Sequence, residues 1–169
     1  MVANPARYLV SHERLGPIGR GGHPAAADHA YWKDTGNVTD MLEVNRLVLE
    51  AIQPRLDGVV ESGCEIIGRV VVEPGAQVSG SRIVGPAIIG AGSKITGSYV
   101  GPSTAIGEEC AVTDSEIEYS ILLSRASIRG VRRIEASIIG HDAEVTPAHG
   151  VPKVHRLVLG DHSKVQITS

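Results

Sequence analysis

The sequence contains no phenylalanine, one tryptophan and four tyrosines among its 169 residues. A core built without aromatic bulk must be filled by Ile, Val, Leu and Ala, so we expect it to be narrow or layered. Cysteine is also scarce: Cys64 and Cys110 stand alone in the sequence, which excludes a disulfide framework and a cysteine-rich metal cluster. Isolated cysteines are typical of a reducing compartment, and we expect a cytoplasmic protein.

Strong charge and long apolar runs are missing as well. The formal net charge is −3, and 21% of the residues are charged. This balance argues against a basic nucleic-acid footprint or a polybasic membrane patch. The N-terminal stretch has no apolar run of signal-peptide length, and no segment reaches the roughly 18 apolar residues of a membrane span. We therefore expect neither nucleic acid nor a membrane as a partner.

Aliphatic residues recur in the middle of the chain with a period of 17 residues, in three columns. The first holds Ile66, Ile83, Val100, Ile117 and Ile134; the second holds Val72, Ile89, Ile106 and Leu123, after which Ile139 falls one residue short; the third holds Val78, Ile95 and Val112, with Ile128 one residue short. Small residues follow the same period, since Ser81, Ser98 and Ser115 share one phase.

Steps of six, six and five residues fit neither a helix nor an alternating strand. They are typical of a three-sided solenoid, in which each side is a short strand with one aliphatic residue pointing to the axis. We predict an all-β parallel β-helix of about five coils over residues 66–150, with an axis too narrow for phenylalanine. The alternative is a β-sandwich, but its loops vary in length and would not keep a fixed period.

The flanking segments break this period. Residues 38–52 predict a helix with Asn37 as N-cap and Asp40 in its first turn. Its apolar positions recur at helical spacing: Met41, Val44, Val48 and Ile52. We expect this helix to lead into the first coil and to cover the open end of the solenoid. Residues 1–30 predict a linker or poorly ordered arm.

Two stretches that bracket the solenoid carry a resemblance to a known family. "YWKDTGNVTDMLEVNRLVLE" at 31–50 and "PKVHRLVLGDHSKVQI" at 152–167 resemble the C-terminal part of long-form glucose-1-phosphate thymidylyltransferases, which make dTDP-glucose. The resemblance implies a left-handed β-helix over 59–169, ended by a closing strand. It also implies that 31–58 is a remnant of the nucleotidyltransferase domain.

Most of that family's catalytic machinery is not in this sequence. The glycine-rich nucleotide loop and the family's Asp and Lys residues for Mg²⁺ and sugar phosphate are missing, whereas the motif Trp32-Lys33-Asp34-Thr35-Gly36 is present. In the family this aspartate lies at the metal end of the site. Asp34 is therefore either a metal ligand that completes a site supplied by another chain or a relic near the helix. We expect no cofactor for the isolated chain, and Mg²⁺ only where a complete nucleotidyltransferase site is assembled.

The resemblance implies a function in dTDP-sugar metabolism for deoxysugar biosynthesis. We predict the non-catalytic β-helix part of a thymidylyltransferase-like protein, acting as an oligomerisation or regulatory scaffold or persisting as a truncated paralogue. Flat faces with outward aliphatics such as Val84 and Ile88 favour a homo-oligomer, either a trimer or a dimer. A separate catalytic nucleotidyltransferase subunit is a further candidate partner.

Histidines carry two alternative hypotheses. A free-standing hexapeptide acyltransferase would need a general base, and His141 is the candidate within the solenoid. A zinc site would need three convergent histidines. The four in this region are separated by intervals that do not match the repeat: His141, His149, His155 and His162. We therefore expect His155 and His162 to belong to the closing strand.

Two further features have a structural and a functional interpretation. Cys110 shares the phase of Ser93, which predicts a packed interior or corner position and leaves no identifiable base for a nucleophile. A basic face near the fourth coil is predicted from Arg125, Arg129, Arg132 and Arg133. Such a face is a solvated surface or a contact for phosphate or a partner chain.

Overall fold

A computed structural model describes residues 37–148, and the statements below concern this part of the chain. It contains one helix, α1 (Val38–Glu50), followed by short strands. The strands are β1 (Arg55–Leu56), β2 (Val59–Val60), β3 (Glu65–Ile67), β4 (Val70–Val72), β5 (Gln77–Ser79), β6 (Arg82–Val84), β7 (Ala87–Ile89), β8 (Lys94–Thr96), β9 (Tyr99–Val100), β10 (Thr104–Ile106), β11 (Ala111–Thr113), β12 (Glu116–Glu118), β13 (Ile121–Leu122), β14 (Ser127–Arg129), β15 (Ile134–Glu135), β16 (Ile138–Ile139) and β17 (Glu144–Val145).

Every third strand belongs to the same parallel sheet, so the chain winds around three faces. Face A is the sheet β1-β4-β7-β10-β13-β16, face B is β2-β5-β8-β11-β14-β17, and face C is β3-β6-β9-β12-β15. Coil 1 is β1 to β3, and coils 2 to 5 follow in threes, with β16 and β17 beginning another turn. The predicted fold class, a left-handed parallel β-helix of about five coils, is confirmed as a parallel β-solenoid.

The interior is built from the predicted aliphatic columns. On face C the register pairs Ile66 with Ile83, Ile83 with Val100, and so on through Ile117 to Ile134. Ile83, Val100 and Ile117 are at most 1% exposed. Each strand has only two or three residues, so a single inward side chain from each strand fills the axis.

One member of the second column was assigned wrongly. The register of face A places Ile106 opposite Leu122, and Leu122 opposite Ile139. Leu122 is fully buried, whereas Leu123 is half-buried and packs outside the axis. The shorter step therefore comes before Leu122, because the corner from face C to face A loses one residue there. In the third column the short step from Val112 to Ile128 is confirmed.

One corner position repeats in every coil from coil 2 onward and adopts a positive φ. In coils 2 and 3 the residue is glycine, Gly75 with φ of 78° and Gly92 with φ of 70°. In the later coils the equivalent residues are Glu109, Arg125 and Asp142, with φ of 55°, 63° and 56°. Glycine adopts a positive φ without steric cost, whereas glutamate, arginine and aspartate adopt it at a cost in free energy. The same turn is therefore formed by glycine in coils 2 and 3 and by charged residues in the later coils.

The helix begins where it was predicted. Asn37 has extended backbone angles, and its side-chain oxygen accepts a hydrogen bond of 2.9 Å from the backbone N–H of Asp40. This cap satisfies one of the free N–H groups of the first turn, and the acidic Asp40 suits the positive end of the helix dipole. The helix ends at Glu50 with Ala51 as its C-cap, slightly before the predicted end at residue 52.

The position of the helix differs from the prediction, because α1 lies along face A and does not cover the end of the solenoid. Leu49 and Ile52 form a buried cluster with outward residues of face A, namely Val71, Ile88 and Ala105. Leu42 packs in the same way on Ile121 in coil 5. The helix thus runs opposite to the direction of stacking. The reason is that face A carries aliphatic residues on its outer side also, and these need a cover.

The helix also uses a different face from the one predicted. Leu42, Asn45 and Leu49 are its buried residues, whereas Met41, Val44 and Val48 are half-buried. Asn45 is 2% exposed, and its side-chain amide donates a 2.9 Å hydrogen bond to the carbonyl oxygen of Ser103. Full burial of a leucine or isoleucine side chain contributes about 1.5–3 kcal/mol. The leucines therefore supply the adhesion, and Asn45 fixes the position of α1 on coil 4.

The close stacking of coils can be tested at Gly90 and Gly140, which each follow the inward residue of a strand on face A. A Cβ on Gly90 would lie 2.2 Å from the carbonyl oxygen of Gly107, whereas a Cβ on Gly140 would have no neighbour within 4 Å. We expect Gly90→Ala to lower the free energy of unfolding by at least about 1–3 kcal/mol, measured by chemical denaturation. Gly140→Ala is the matched control and should change it by less than about 0.5 kcal/mol. Equal effects of the two substitutions would contradict this account of stacking.

Candidate functional site

Several predicted site residues lie outside the described residues. These are Trp32, Asp34 and Gly36 of the family motif and the histidines His149, His155 and His162, together with the predicted closing strand. The interpretation of Asp34 as a metal ligand therefore stays a prediction. Within 37–148, the structure contains no group of three or more His, Cys, Asp or Glu residues arranged to hold a metal ion. No helix of that part of the chain is long and apolar enough to cross a membrane.

His141 lies at the corner between β16 and β17, and its side chain is exposed. The neighbouring carboxylate of Asp142 is engaged by Arg125, which donates hydrogen bonds of 2.7 Å and 2.8 Å to its two oxygens. These two hydrogen bonds are the largest influence on Asp142, and they lower the pKa of its carboxyl group. The carboxylate of Asp142, next to His141, thus forms an ion pair with Arg125 of the preceding coil.

Cys110 is 1% exposed and occupies the interior corner position that was predicted. Its backbone N–H donates to the Ser93 hydroxyl at 2.9 Å, and its thiol donates to the carbonyl oxygen of Leu123 at 3.1 Å. Burial raises the pKa of the Cys110 thiol, so the reactive thiolate is disfavoured. The packing interpretation of Cys110 agrees with this environment.

Serine hydroxyls form a ladder at the corner from face B to face C. The Ser98 hydroxyl donates to the carbonyl oxygen of Thr96 at 2.7 Å and accepts from the backbone N–H of Ser115 at 3.1 Å. Ser81 makes the equivalent contact to the backbone N–H of Ser98 at 3.0 Å. Each hydroxyl thus satisfies a buried N–H in the next coil, which accounts for the shared phase of these serines.

The predicted basic face does not exist as one surface. Arg125 is at the corner before β14 and pairs with Asp142, while Arg129 ends β14 on face B. Arg132 and Arg133 precede β15 at the edge of face C, where acidic residues surround them: Arg132 lies 3.9 Å from Glu116. The arginines are close in sequence, but the corners turn them in different directions.

A groove on face C is lined by charged side chains. It has a volume of ≈ 360 Å³, and Tyr99, Arg133 and three glutamates line it, namely Glu116, Glu118 and Glu135. A second depression of ≈ 340 Å³ adjoins it and shares Tyr99 and Glu116. This groove was not predicted from the sequence, although its charged residues stand in "EIE", which is β12, and in "RRIE", which leads into and includes β15.

Known proteins are similar to this chain over most of its length. A glucose-1-phosphate thymidylyltransferase of Streptomyces griseus is 63% identical over 139 residues, which is 82% of this chain and 39% of that protein. A protein of the same description from Streptomyces antibioticus is 59% identical over the same shares. The chain matches the C-terminal part of glucose-1-phosphate thymidylyltransferases.

The relationship to these thymidylyltransferases covers the solenoid but not the whole length of the relatives, of which this chain spans 39%. Low-salt glycan biosynthesis nucleotidyltransferase Agl11 of Haloferax volcanii is 40% identical over 140 residues, 81% of this chain and 39% of that protein. A solved perosamine N-acetyltransferase from Caulobacter crescentus has 18% identity and a TM-score of 0.29, over 69% of this chain and 64% of that chain. No protein-family model matches the sequence.

Removal of one hydroxyl tests the serine ladder. Ser98→Ala leaves the N–H of Ser115 without its acceptor, and Ser115 is 2% exposed. We expect a loss of about 1–3 kcal/mol in the free energy of unfolding, the cost of a buried unsatisfied group. Ser127→Ala, on the outer side of face B, is the control and should cost less than about 0.5 kcal/mol. A Ser98→Ala protein as stable as this control would show that the ladder is not structural.

The ion pair between Arg125 and Asp142 gives a pH prediction. A carboxyl group whose pKa is lowered in the folded state stabilises the protein above its unfolded pKa of about 3.9, and this stabilisation is lost as the pH falls through the folded pKa. Arg125→Gln should raise the Asp142 pKa towards its ordinary value, measured by NMR titration of the carboxyl carbon. Arg129→Gln should leave that pKa unchanged. An unaltered Asp142 titration in Arg125→Gln would disprove the assignment.

Proposed function

We propose that the solenoid is the non-catalytic β-helix part of a glucose-1-phosphate thymidylyltransferase-like protein of dTDP-sugar metabolism, where it acts as an oligomerisation or regulatory scaffold. The observation that carries this proposal is the extent of the homology. It covers 82% of this chain but only 39% of the curated thymidylyltransferases, and it matches their C-terminal part.

The chemistry of the reaction supports the separation of this part from catalysis. Attack of the sugar phosphate on the α-phosphate of dTTP requires Mg²⁺, fixed cations and a backbone cradle for the phosphates. The family's glycine-rich nucleotide loop is not found in this sequence. If Asp34 has kept a role at a metal, we propose that it completes a site whose other groups come from a separate nucleotidyltransferase chain.

The solenoid has the properties that a scaffold needs. Each coil is hydrogen-bonded to the next through backbone groups, for example from the N–H of Lys94 to the carbonyl oxygen of Cys110 at 2.8 Å. The helix clamps face A, and its buried contacts extend from coil 2 to coil 5. Within the described residues the outer sides of faces B and C carry no helix, and we propose that association with other chains uses these two faces. Ile88, which was expected to contribute to such a face, is instead covered by α1 and is 2% exposed.

An acyltransferase function is less well supported. His141 would need an orienting group beside it, but the adjacent Asp142 carboxylate is held by two hydrogen bonds from Arg125. The side chain of His141 is exposed, and no hydrogen bond from residues 37–148 orients it as a general base must be oriented. We therefore retain the scaffold as the proposed function.

One protein preparation tests both parts of the proposal. The full chain, incubated with dTTP, glucose-1-phosphate and Mg²⁺, should give no dTDP-glucose above background, while a full-length thymidylyltransferase assayed in parallel does. The same sample should self-associate in sedimentation equilibrium. Turnover by the isolated chain would overturn the non-catalytic assignment, and a clean monomer up to the solubility limit would overturn the scaffold.

A further inference from the structure

Face C presents alternating charges on successive coils. The first outward position of its strands is occupied in order by Glu65, Arg82, Tyr99 and Glu116, and Arg133 lies before β15 in the same groove as Glu116. Coil 1 is therefore acidic at this position, coil 2 basic, coil 3 aromatic, coil 4 acidic and coil 5 basic. Glu118 and Glu135 add further carboxylates to coils 4 and 5.

Within one chain these charges are only loosely paired. Arg82 lies 3.3 Å from Glu65, with both side chains more than half exposed. Arg132 lies 3.9 Å from Glu116 and is 81% exposed. Exposed pairs of this kind contribute about 0–1 kcal/mol each. The same side chains can therefore turn towards a second set of opposite charges without a large loss.

At the centre of face C, Tyr99 lies close to a glycine. Gly101 is buried although it is on the outer side of the solenoid. A Cβ at Gly101 would lie 3.1 Å from the Cε1 atom of Tyr99 and 2.5 Å from the Cβ of Glu118. The tyrosine ring therefore lies across Gly101 and presents a half-exposed aromatic surface in the middle coil. Tyrosine at the centre of a surface is a common anchor of protein interfaces.

Two identical sheets can pack face to face through a twofold axis in two simple ways. If the solenoid axes are parallel, each coil meets its own copy with the strand direction reversed, so that Arg82 would face Val84 and Glu116 would face Glu118. If the axes are antiparallel, coil 1 meets coil 5 and coil 2 meets coil 4. Glu65 then faces Arg133, Arg82 faces Glu116, and Tyr99 faces Tyr99 of the second copy. The antiparallel arrangement joins opposite charges at coils 1, 2, 4 and 5. The parallel arrangement joins them only at coil 5 and places Glu116 against Glu118, and like charges across an interface are unfavourable.

We propose that face C is a self-complementary docking surface for a second copy of this chain, with antiparallel solenoid axes and Tyr99 at the twofold axis. Arg82 of one copy enters the groove that Glu116, Glu118 and Glu135 line on the other. This inference rests on the proposed scaffold function and specifies its partner and its surface. The groove of ≈ 360 Å³ has room for a guanidinium group, and its three carboxylates outnumber Arg133.

The size of face C limits the strength of this contact. Five strands at a spacing of about 4.8 Å cover roughly 24 Å along the axis, and a three-residue strand covers about 10 Å across it. This area is well below the roughly 800 Å² per partner of a standard stable interface. The dimer is therefore a weak one whose population depends on protein concentration and, because it relies on exposed charges, on salt.

Charge reversal on each half of the contact tests the proposal with the full chain. Sedimentation equilibrium at about 50 mM NaCl should show self-association of the natural protein that weakens as salt is raised. Arg82→Glu alone, and Glu116→Arg with Glu118→Arg, should each increase the self-dissociation constant about tenfold or more. An equimolar mixture of these two variants should associate again, because each antiparallel contact between them joins opposite charges. Arg129→Glu, on face B, is the matched control and should associate as the natural chain does. Circular dichroism establishes that all variants are folded.

Disulfide cross-linking tests whether the two solenoid axes are antiparallel. In a background of Cys64→Ser and Cys110→Ala, the Val84→Cys variant should not cross-link with itself under mild oxidation, but should cross-link when mixed with the Glu118→Cys variant. Cross-linking of Val84→Cys with an Arg82→Cys variant, which faces it only when the axes are parallel, overturns the proposal. Self-association that is insensitive to Arg82→Glu also overturns it, but leaves the scaffold function intact. A natural chain that stays monomeric overturns both.

Discussion

The stacking of one coil on the next, with backbone hydrogen bonds between them, is the constraint on which the structure depends. Strands of two or three residues have no stability of their own, and they persist because each pairs with an equivalent strand above and below. Stacking also fixes which residues may occupy a given place. Gly90 and Gly107 approach so closely that a methyl group cannot be accommodated, and the narrow axis admits single aliphatic side chains. The absence of phenylalanine follows from this geometry.

The three faces of the solenoid differ because their outward residues differ. Face A carries Val71, Ile88, Ala105 and Ile121 on its outer side, and each is at most 7% exposed because α1 covers them. Faces B and C carry mostly polar and charged residues in the equivalent places, with Val59 and Ile67 as exposed apolar exceptions. The helix thus converts one side of the prism into a second small core. Within the described residues the other two sides carry no such cover, so the three faces differ in what their outer surfaces present.

The interior could be predicted from the sequence because it repeats with a fixed period, as the register of Ile66, Ile83 and Val100 demonstrates. Features that depend on a single residue were harder to predict from the sequence. Leu122 and Leu123 are both aliphatic, and the choice between them depended on where a corner lost a residue. The face of α1 was ambiguous for a similar reason, since Leu42 and Leu49 compete with Met41 and Val48. Strands β4 and β7 each consist of three consecutive apolar residues, a pattern that predicts burial of both sides of face A.

The corner residues differ between the early and the late coils, and this difference affects the local stability of the coils. Non-glycine residues with positive φ occur from Ser103 onwards, whereas Gly130 is the only described glycine of that kind after Gly97. A left-handed conformation costs a non-glycine residue about 1–2 kcal/mol, so the later coils hold conformational strain that the earlier coils lack. In a repeat structure where each coil contacts only its neighbours, such a gradient determines where opening starts. The solenoid would therefore loosen from its later coils while the glycine-cornered coils stay closed, and coils 4 and 5, which carry the carboxylate groove of face C, belong to the less stable half.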